Sequence, residues 1–382
     1  METSQKIYEN IMEYRGSKSD SYISVKEQRV DGSWSTGLRP VNLRYTLRGS
    51  ERITWPGIPS NPILNKRQYS TTNNSNNNNI QPKLSTIDEG SLNPWFVTGF
   101  IDGDGSFTVS IAKKKSGIGW KIQPILTIGL DQKDLDLLVQ IKAFFKVGKI
   151  YTSKRGIIYY TVGSTKDLIK YILPHFDKYP LATAKLKDYL VFKKIILLME
   201  KGEHNSLPGL LKIFSLRAIL NKGLPGIIKT EFPDIIPAIL PEFKISSDFN
   251  PHWLSGFITA EGSFFISLYN SDKRKAGYAV SLVFSLSQHI KDIELLERLA
   301  KYLKCGRISE ASNRETAEWI ISRSDDINLK LIPFLTNYTL SGVKLLDFER
   351  FKKASILIEN KMHLTPEGVT LIKTIKDAMY NR

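Results

Sequence analysis

Cysteine is nearly absent from this sequence, and its scarcity excludes whole classes of protein. Cys305 is the only cysteine among the 382 residues, so neither a disulfide framework nor a cysteine-based zinc cluster is possible. Its neighbours Leu303 and Ile308 indicate a small buried residue. No glycine-rich loop ends in the Gly-Lys-Ser or Gly-Lys-Thr that holds nucleotide phosphates. The five histidines form no recognisable set of metal ligands: His175, His204, His252, His289 and His363.

Long apolar runs are missing as well. No stretch is long enough to span a bilayer, and no strongly basic amphipathic segment indicates an anchor on a membrane surface. We therefore expect no membrane partner. The first residues have no apolar core of a signal peptide, and Glu2, Glu9 and Glu13 argue against an acid-poor mitochondrial presequence.

Positive charge, by contrast, is abundant. The formal net charge is +16, which indicates a polyanionic partner. Residues 1–90 hold 12 Lys/Arg and 9 Asp/Glu, so they carry +3 and the other 292 residues carry +13. The charge therefore belongs to the folded part of the chain and not to a basic tail. A hydrophobic content of 41% is typical of a globular protein. The 382 residues are enough for a sizeable core and two or three domains.

Two short segments resemble one another, and each delivers one carboxylate to the end of a helix. They run from Asn93 to Gly105 and from Asn250 to Gly262, and each begins with Asn-Pro, a strong helix-start signal. Asp104 and Glu261 stand at the two predicted helix ends, where the chain turns into a strand. Small residues one turn apart allow the two helices to approach closely: Gly99, Gly103, Gly256 and Ala260.

If these helices pack side by side, the two acids come close together. Adjacent carboxylates repel each other, and a divalent cation relieves that repulsion. Hard oxygen ligands favour Mg²⁺, and metal ions held by paired acids suit phosphodiester cleavage. The alternative is that each acid merely caps a turn.

Val97–Gly105 and Leu254–Gly262 resemble the two signatures of a single-chain LAGLIDADG homing endonuclease, and the resemblance covers roughly residues 91–382. It implies that Asp104 and Glu261 bind the catalytic metal ions. It also implies that two backbone carbonyls contribute to the metal site, those of Gly103 and Ala260. The signatures depart from the family consensus at Val97, Thr98 and Thr259, and Thr259 replaces an acid that is not the metal ligand.

Beyond the signatures, the two halves repeat one order of predicted elements: helix, two strands, helix, two strands and two helices. The acids are 157 residues apart, and Phe145–Ile150 matches Leu303–Ile308 at an offset of 158, which indicates a duplication. The predicted divisions are an N-terminal extension with an Asn-rich linker (1–90), the first repeat (91–206), a connector with a helix at Leu210–Leu220 (207–248), and the second repeat (249–382).

The predicted fold class is α+β, with two pseudo-twofold-related αββαββα repeats and a poorly ordered N-terminal extension. Each repeat contributes a four-stranded antiparallel sheet to a DNA-binding saddle, with helices on one face and polar residues on the other. A β-ribbon fits the major groove of DNA, where each base pair shows a distinct pattern of donors and acceptors. The alternative is that these polar faces are merely solvated. The candidate DNA contacts are Ser106, Thr108, Ser110, Ala112, Lys114, Lys121, Gln123, Thr127, Ser263, Phe265, Ser267, Tyr269, Ser281 and Ser285.

Two further pairs of polar residues recur in both halves. Gln132 and Gln288 are 156 residues apart, and the resemblance implies that they help to hold water at the active site. The alternative for this pair is a helix cap. Lys185 and Lys344 are 159 residues apart, and lysines there would neutralise phosphate charge near the cut. The alternative for the lysines is an ordinary solvated side chain.

The sequence therefore predicts an intron-encoded, site-specific DNA endonuclease that makes double-strand breaks in a long target. We expect a monomer that depends on Mg²⁺, with Ca²⁺ supporting binding but not cleavage, and the resemblance implies a mitochondrial location. One alternative is a maturase, which keeps the fold but binds intron RNA. Another is a DNA-binding module without chemistry.

Overall fold

The computed structural model describes residues 22–28, 34–40, 92–114, 119–220, 223–240, 249–310 and 315–380. Strands β1 (Tyr22–Gln28) and β2 (Trp34–Pro40) form an antiparallel hairpin in a compact unit separate from the elements below. The sequence predicted a poorly ordered extension here and not a hairpin. Its signal was Asp31-Gly32 between the strands, a dipeptide common in hairpin turns. The rest of the expected extension and its linker lies outside the described residues.

The first half of the main unit is built on one antiparallel sheet with the strand order β3-β4-β6-β5. In chain order its elements are α1 (Pro94–Asp104), β3 (Gly105–Lys113), β4 (Trp120–Leu130), a 3-10 turn (Gln132–Asp134), α2 (Leu135–Phe145), β5 (Lys149–Thr152), β6 (Ile158–Val162), α3 (Thr165–Asp167, the π-helical Leu168–Ile172, and Leu173–Lys178), α4 (Lys185–Glu200), a 3-10 turn (Glu203–Asn205), α5 (Leu207–Arg217) and α6 (Gly226–Glu231).

The second half repeats this order on a sheet with the strand order β7-β8-β10-β9. Its elements are α7 (Pro251–Glu261), β7 (Gly262–Asn270), β8 (Tyr278–His289), a 3-10 turn (Ile290–Asp292), α8 (Ile293–Leu303), β9 (Arg307–Glu310), β10 (Thr316–Ile321), α9 (Ser324–Asp326, the π-helical Ile327–Leu331, and Ile332–Asn337), α10 (Gly342–Glu359), a 3-10 turn (Met362–Leu364) and α11 (Pro366–Tyr380). The predicted α+β fold of two repeats is confirmed.

Helices cover the apolar face of each sheet and form one core per half. Phe107 of β3 packs against Phe192 of α4 with ring centroids 5.3 Å apart, and Phe264 of β7 packs against Phe351 of α10 at 5.2 Å. These two pairs hold equivalent positions in the repeats. Cys305 is buried in the second core, as its apolar neighbours predicted.

The helix that the sequence analysis placed in the connector packs instead into the first core. α5 begins at Leu207 rather than at Leu210, and its residues Ile213 and Phe214 are fully buried. α11 stands 159 residues later and follows a 3-10 turn in the same way. α5 is therefore the first-half counterpart of α11, and the segment that links the repeats begins after it.

Candidate active site and nucleic-acid interface

Matching caps begin the two signature helices, α1 and α7. Asn93 Oδ1 accepts a hydrogen bond from the N–H of Trp95 at 2.9 Å, and Asn250 Oδ1 accepts one from the N–H of His252 at 2.9 Å. Both helices are 11 residues long, and each ends at an acid because the following glycine has an extended backbone and starts a strand. The predicted helix starts and ends are confirmed.

α1 and α7 pack directly against each other because glycine leaves no side chain between them. A Cβ at Gly99 would overlap the carbonyl oxygen of Trp253, and a Cβ at Gly256 would overlap that of Phe96. The small faces predicted from the sequence thus form the interface between the helices. This close approach decides where the two acids lie.

Asp104 and Glu261 end their helices on either side of this interface. Cγ and Oε1 of Glu261 lie 3.0 and 3.5 Å from the position that a Cβ would take on Gly103, the residue before Asp104. Both acids are half-buried, and both act electrostatically on the ammonium group of Lys185. The structure therefore places the two predicted acids and one predicted lysine in one site.

Lys185 lies over the C-terminal end of α1. Its Nζ donates hydrogen bonds to the carbonyl oxygens of Ile101 at 3.2 Å and Gly103 at 2.6 Å. Burial lowers the pKa of this lysine, and the nearby carboxylates oppose that shift because they stabilise its charged form. A cation at this position also complements the negative end of the helix dipole.

Lys344 lies at the end of α7 in the second half, although its carbonyl partner is two residues further along than the equivalent of Gly103. Its Nζ donates a hydrogen bond to the carbonyl oxygen of Gly262, the residue after Glu261. The alternative of an ordinary solvated side chain fails for both lysines, because each ammonium group bonds to the backbone at the end of a signature helix.

The carbonyl of Gly103, one of two predicted metal-binding carbonyls, already accepts the Lys185 hydrogen bond. A carbonyl oxygen has two lone pairs, so one remains for another partner. Ala260 precedes Glu261 at the matching place in α7. A metal-binding role for these two carbonyls stays a prediction.

Gln132 and Gln288 do not hold equivalent positions, contrary to the expectation of a repeated pair. Gln132 is exposed and opens a 3-10 turn that is capped by Asp131, whereas the turn of the second half is capped by His289. Gln288 lies before that cap, half-buried on β8 and opposite Ala317 of β10. The offset of 156 between the glutamines departs from the local offset of 158. Neither glutamine is the cap of its turn.

Asp102 is a buried acid that the sequence analysis did not single out. Its Oδ2 accepts hydrogen bonds from the N–H of Ala182 at 2.6 Å and from Nε1 of Trp253 at 3.1 Å, and its Oδ1 accepts one from the Thr183 hydroxyl at 2.5 Å. Burial raises the pKa of Asp102 to about 6, although these hydrogen bonds favour the carboxylate. Thr259 stands in its place in the second half. The sequence signal for a separate role of Asp102 was that only the first signature has an acid at this position.

The candidate contacts on the first sheet share one face of β3 and β4. Ser106 lies opposite Thr127, and Ser110 lies opposite Gln123. The alternating side chains of β3 between them are buried in the core. Gln123 and Thr127 are half-buried, and the exposed candidates are Ser106, Thr108, Ser110, Ala112, Lys114 and Lys121.

The second sheet presents its candidates in the same way, with one correction. Ser263 lies opposite Ser285, and Ser267 lies opposite Ser281. Ser285 is only 9% exposed, so it offers a ligand little surface. The accessible candidates on this sheet are Ser263, Phe265, Ser267, Tyr269 and Ser281.

Two basic residues on the same faces escaped the sequence analysis. Lys149 of β5 lies opposite Thr161 of β6, which lies opposite Thr127 of β4, so Lys149 ends a row across the first sheet. Arg307 of β9 ends the equivalent row of the second sheet, next to Ile320 of β10. Both are exposed. Their strands have only four residues, which is too short for an alternating pattern to be recognised in the sequence. The available signal was that the two residues occupy matching positions in the duplicated stretches.

No helix among the described residues is long and apolar enough to cross a bilayer. Within the same residues, no group of three or more His, Cys, Asp and Glu side chains converges to hold a metal ion. Metal binding at Asp104 and Glu261 would therefore draw on other oxygen ligands.

Comparison with known proteins agrees with this two-helix site. Residues 97–196 and 254–355 match the family model described as LAGLIDADG endonuclease, once in each repeat. The chain belongs to this family, whose members are metal-dependent, site-specific DNA endonucleases of the homing type.

Similar proteins include two from Neurospora crassa. Probable intron-encoded endonuclease 3 is 36% identical over an alignment of 381 residues, which covers 98% of this chain and 71% of that protein. Probable intron-encoded endonuclease 2 is 37% identical over an alignment of 339 residues, which covers 85% of this chain and 72% of that protein.

Similar solved structures include DNA complexes. I-SmaMI bound to cleaved DNA is 41% identical, with a TM-score of 0.73 over 76% of this chain and 97% of that chain. I-LtrWI bound to target DNA is 36% identical, with a TM-score of 0.72 over 75% of this chain and 97% of that chain. I-SmaMI has also been solved with an uncleaved DNA target in the presence of calcium ions.

Proposed function

We propose that this chain is an intron-encoded homing endonuclease that cuts both strands of one long DNA target in the presence of Mg²⁺. The observation that carries the proposal is the glycine-mediated packing of α1 against α7, which ends with Asp104 and Glu261 on either side of one interface. Each acid leads directly into the first strand of a sheet with a polar face. Cleavage and recognition are therefore adjacent in the fold.

The donor set of the site fits Mg²⁺. Two carboxylates supply hard oxygen ligands, and no third acid, histidine or cysteine converges on them among the described residues. Mg²⁺ usually keeps several water ligands and binds through one or two carboxylates plus phosphate oxygens. When bound, it would stabilise the charge that develops on the phosphate during cleavage. The uncleaved target of I-SmaMI in the presence of calcium supports the expectation that Ca²⁺ permits binding without cleavage.

Lys185 and Lys344 would offset phosphate charge beside the two acids. Their ammonium groups are fixed at the ends of the signature helices by backbone carbonyls, so each holds a positive charge close to one acid. Structures of I-SmaMI carry alanine at two lysines, singly and together, and those lysines are 159 positions apart. Lys185 and Lys344 have the same separation, which supports giving them a part in the reaction.

The polar sheet faces would read the DNA. Serine, threonine, glutamine and lysine side chains on β3, β4, β7 and β8 can bond to base edges in the major groove. Lys149 and Arg307, at the far ends of two rows, are placed to contact phosphates or bases. The net positive charge of the chain favours DNA binding, because lysine and arginine side chains that contact phosphates release counterions from the DNA.

One chain already contains both repeats, so we expect a monomer to bind the whole target. Sedimentation that showed an obligate dimer without DNA would contradict this expectation. Fungal relatives support a mitochondrial origin, among them an uncharacterized mitochondrial protein of Saccharomyces cerevisiae and an uncharacterized protein in ND4 intron 1 of Podospora anserina.

The test uses the exons that flank the reading frame. Purified protein with Mg²⁺ should cut DNA in which those exons are joined, and should leave uncut the DNA in which the intron separates them. Cleavage of neither DNA, together with tight binding of the intron RNA, would replace this proposal with the maturase interpretation.

A further inference from the structure

Each half of the molecule caps the long, lysine-bearing helix of the other half. The N–H of Ala184, at the start of α4 in the first half, donates to Oδ1 of Asp292 in the second half at 2.8 Å. The N–H of Val343, at the start of α10 in the second half, donates to Oδ1 of Asp134 in the first half at 2.7 Å. Asp134 and Asp292 are 158 residues apart, and each ends the 3-10 turn that follows the second strand of its repeat.

These two carboxylates cap helix starts at which the residue directly before the helix supplies no side-chain cap. At α4 the Thr183 hydroxyl also accepts the N–H of Lys185 at 3.1 Å, so Asp292 adds a second cap from the opposite repeat. The residues directly before α4 and α10, Ala184 and Ser341, make no side-chain capping bond. The first N–H groups of a helix have no partner within the helix, and an acid beside them also meets the positive end of the helix dipole. The start of each helix is thus stabilised from the opposite repeat.

The capped residues directly precede the two lysines of the site. Ala184 precedes Lys185, and Val343 precedes Lys344. Each lysine therefore lies between two contacts. The N–H of the residue before it is bonded to a carboxylate of the opposite repeat, and its ammonium group is bonded to the backbone at the end of the signature helix of its own repeat.

The approach of Asp134 to α10 depends on a glycine. Gly342 has a φ of +62, which side chains with a Cβ rarely adopt, and a Cβ there would overlap Oδ1 of Asp134. The chain thus leaves this position open to the carboxylate of the other repeat.

We propose that Asp134 and Asp292 are positioning residues, each of which sets the active-site lysine of the opposite repeat. Neither lysine is then in place unless the two repeats are docked, so cleavage depends on a contact that lies outside the DNA-binding faces. This inference rests on the role given to Lys185 and Lys344 in the proposed function.

The first measurement is single-turnover cleavage in Mg²⁺ beside target binding in Ca²⁺. Asp134→Ala should slow cleavage about tenfold or more, because small displacements of reacting groups are costly, while target affinity stays within about twofold. Asp134→Asn keeps an acceptor oxygen and should restore most of the rate. Asp131→Ala is the matched control, because Asp131 caps the same turn within its own repeat, through Lys133 N–H at 3.1 Å. It should leave the rate unchanged.

A second measurement separates positioning from general stability. If Asp292 acts through Lys185, then Asp292→Ala combined with Lys185→Ala should cut no more slowly than Lys185→Ala alone. Asp292→Ala combined with Lys344→Ala should show the product of the two losses. The same pattern should hold with the halves exchanged for Asp134. A merely structural loss would multiply with both lysine variants.

The outcomes separate this inference from the proposed function. If the lysine variants lose cleavage and the aspartate variants do not, or if the losses multiply in every combination, the positioning inference is wrong and the lysine role stands. If both lysine variants cut at the wild-type rate, the lysine role fails and the positioning inference fails with it. Should Asp134→Ala not fold, Asp134→Glu keeps the charge but displaces the carboxylate, and it should slow cleavage in a folded protein.

Discussion

Nε1 of Trp253 donates a hydrogen bond at 3.1 Å to Oδ2 of Asp102, from the second signature helix to the first. The same carboxylate accepts hydrogen bonds from Ala182 and Thr183, in the loop that leads into α4. α4 begins at Lys185. One buried acid therefore joins both signature helices to the helix that carries Lys185.

Removing the acceptor of this hydrogen bond should destabilise the protein more than removing its donor. Trp253→Phe removes one donor but keeps the ring stacked on Phe257, so it should lower the free energy of unfolding by about 1 kcal/mol. Asp102→Ala leaves three buried donors without their acceptor and should cost about 3 kcal/mol or more. Urea denaturation measures both. A smaller cost for Asp102→Ala than for Trp253→Phe would contradict the central place given to this carboxylate.

A methyl group at the crossing of the signature helices should destabilise the protein. Gly99→Ala places a Cβ where the carbonyl oxygen of Trp253 lies, and backbone must move, so we expect a loss of about 3 kcal/mol in unfolding free energy and slower cleavage. Gly226→Ala is the matched control, because its Cβ would meet nothing within 4 Å. That control should stay within about 0.5 kcal/mol of the wild type. Equal stability of the two variants would show that the helices do not cross this closely.

The signature helices and the sheets were predictable because local signals define them. An Asn-Pro start and a glycine after the acid bound each helix, and the alternation of Phe107, Val109 and Ile111 marks β3. The glycine faces also predicted the helix interface, since only small residues permit such an approach.

The contacts between the repeats were not predictable from local pattern. Asp134 and Val343 are 209 residues apart, and nothing around either residue indicates the other. The prediction that Gln132 and Gln288 are an equivalent pair was wrong for a related reason. Both lie near the end of the second strand of a repeat, but their positions differ by two residues when the repeats are aligned. Register within a repeat is decided by strand pairing, which a sequence offset only approximates.

The buried ring of His175 should make stability depend on pH. Burial lowers the pKa of His175 to about 4, and its Nε2 lies 3.0 Å from the Thr98 hydroxyl in the core. As the pH falls from about 6.5 to about 4, the unfolded chain gains a proton at this histidine that the folded chain does not, so the contribution of His175 to the free energy of unfolding should decrease by up to about 3 kcal/mol. Asp102 contributes in the opposite sense, because its raised pKa lets the folded chain bind a proton before the unfolded chain does. His175→Gln should remove the contribution of His175 and leave that of the other groups. Identical slopes for the variant and the wild type in that window would contradict the assignment.

The two basic residues at the ends of the sheet rows should contribute to DNA affinity. Lys149→Ala and Arg307→Ala should each weaken target binding in Ca²⁺ and reduce the steepness of its salt dependence by about one unit in log–log slope, if each contacts one phosphate. Lys373→Ala is the control, since Lys373 is exposed on α11 in the helical layer. Unchanged target affinity together with an unchanged salt slope in both test variants would place the DNA elsewhere on the molecule.

We propose that Asp104 and Glu261 form one metal-dependent cleavage site at the ends of two closely packed helices. The most direct test measures Asp104→Asn and Glu261→Gln on the joined-exon target, with cleavage in Mg²⁺ and binding in Ca²⁺. Each variant keeps the size of the side chain and removes its charge, so cleavage should fall by about a thousandfold or more. Binding should remain close to that of the wild type, because it is spread over two sheets. Cleavage of both strands by either variant at near the wild-type rate would contradict the account.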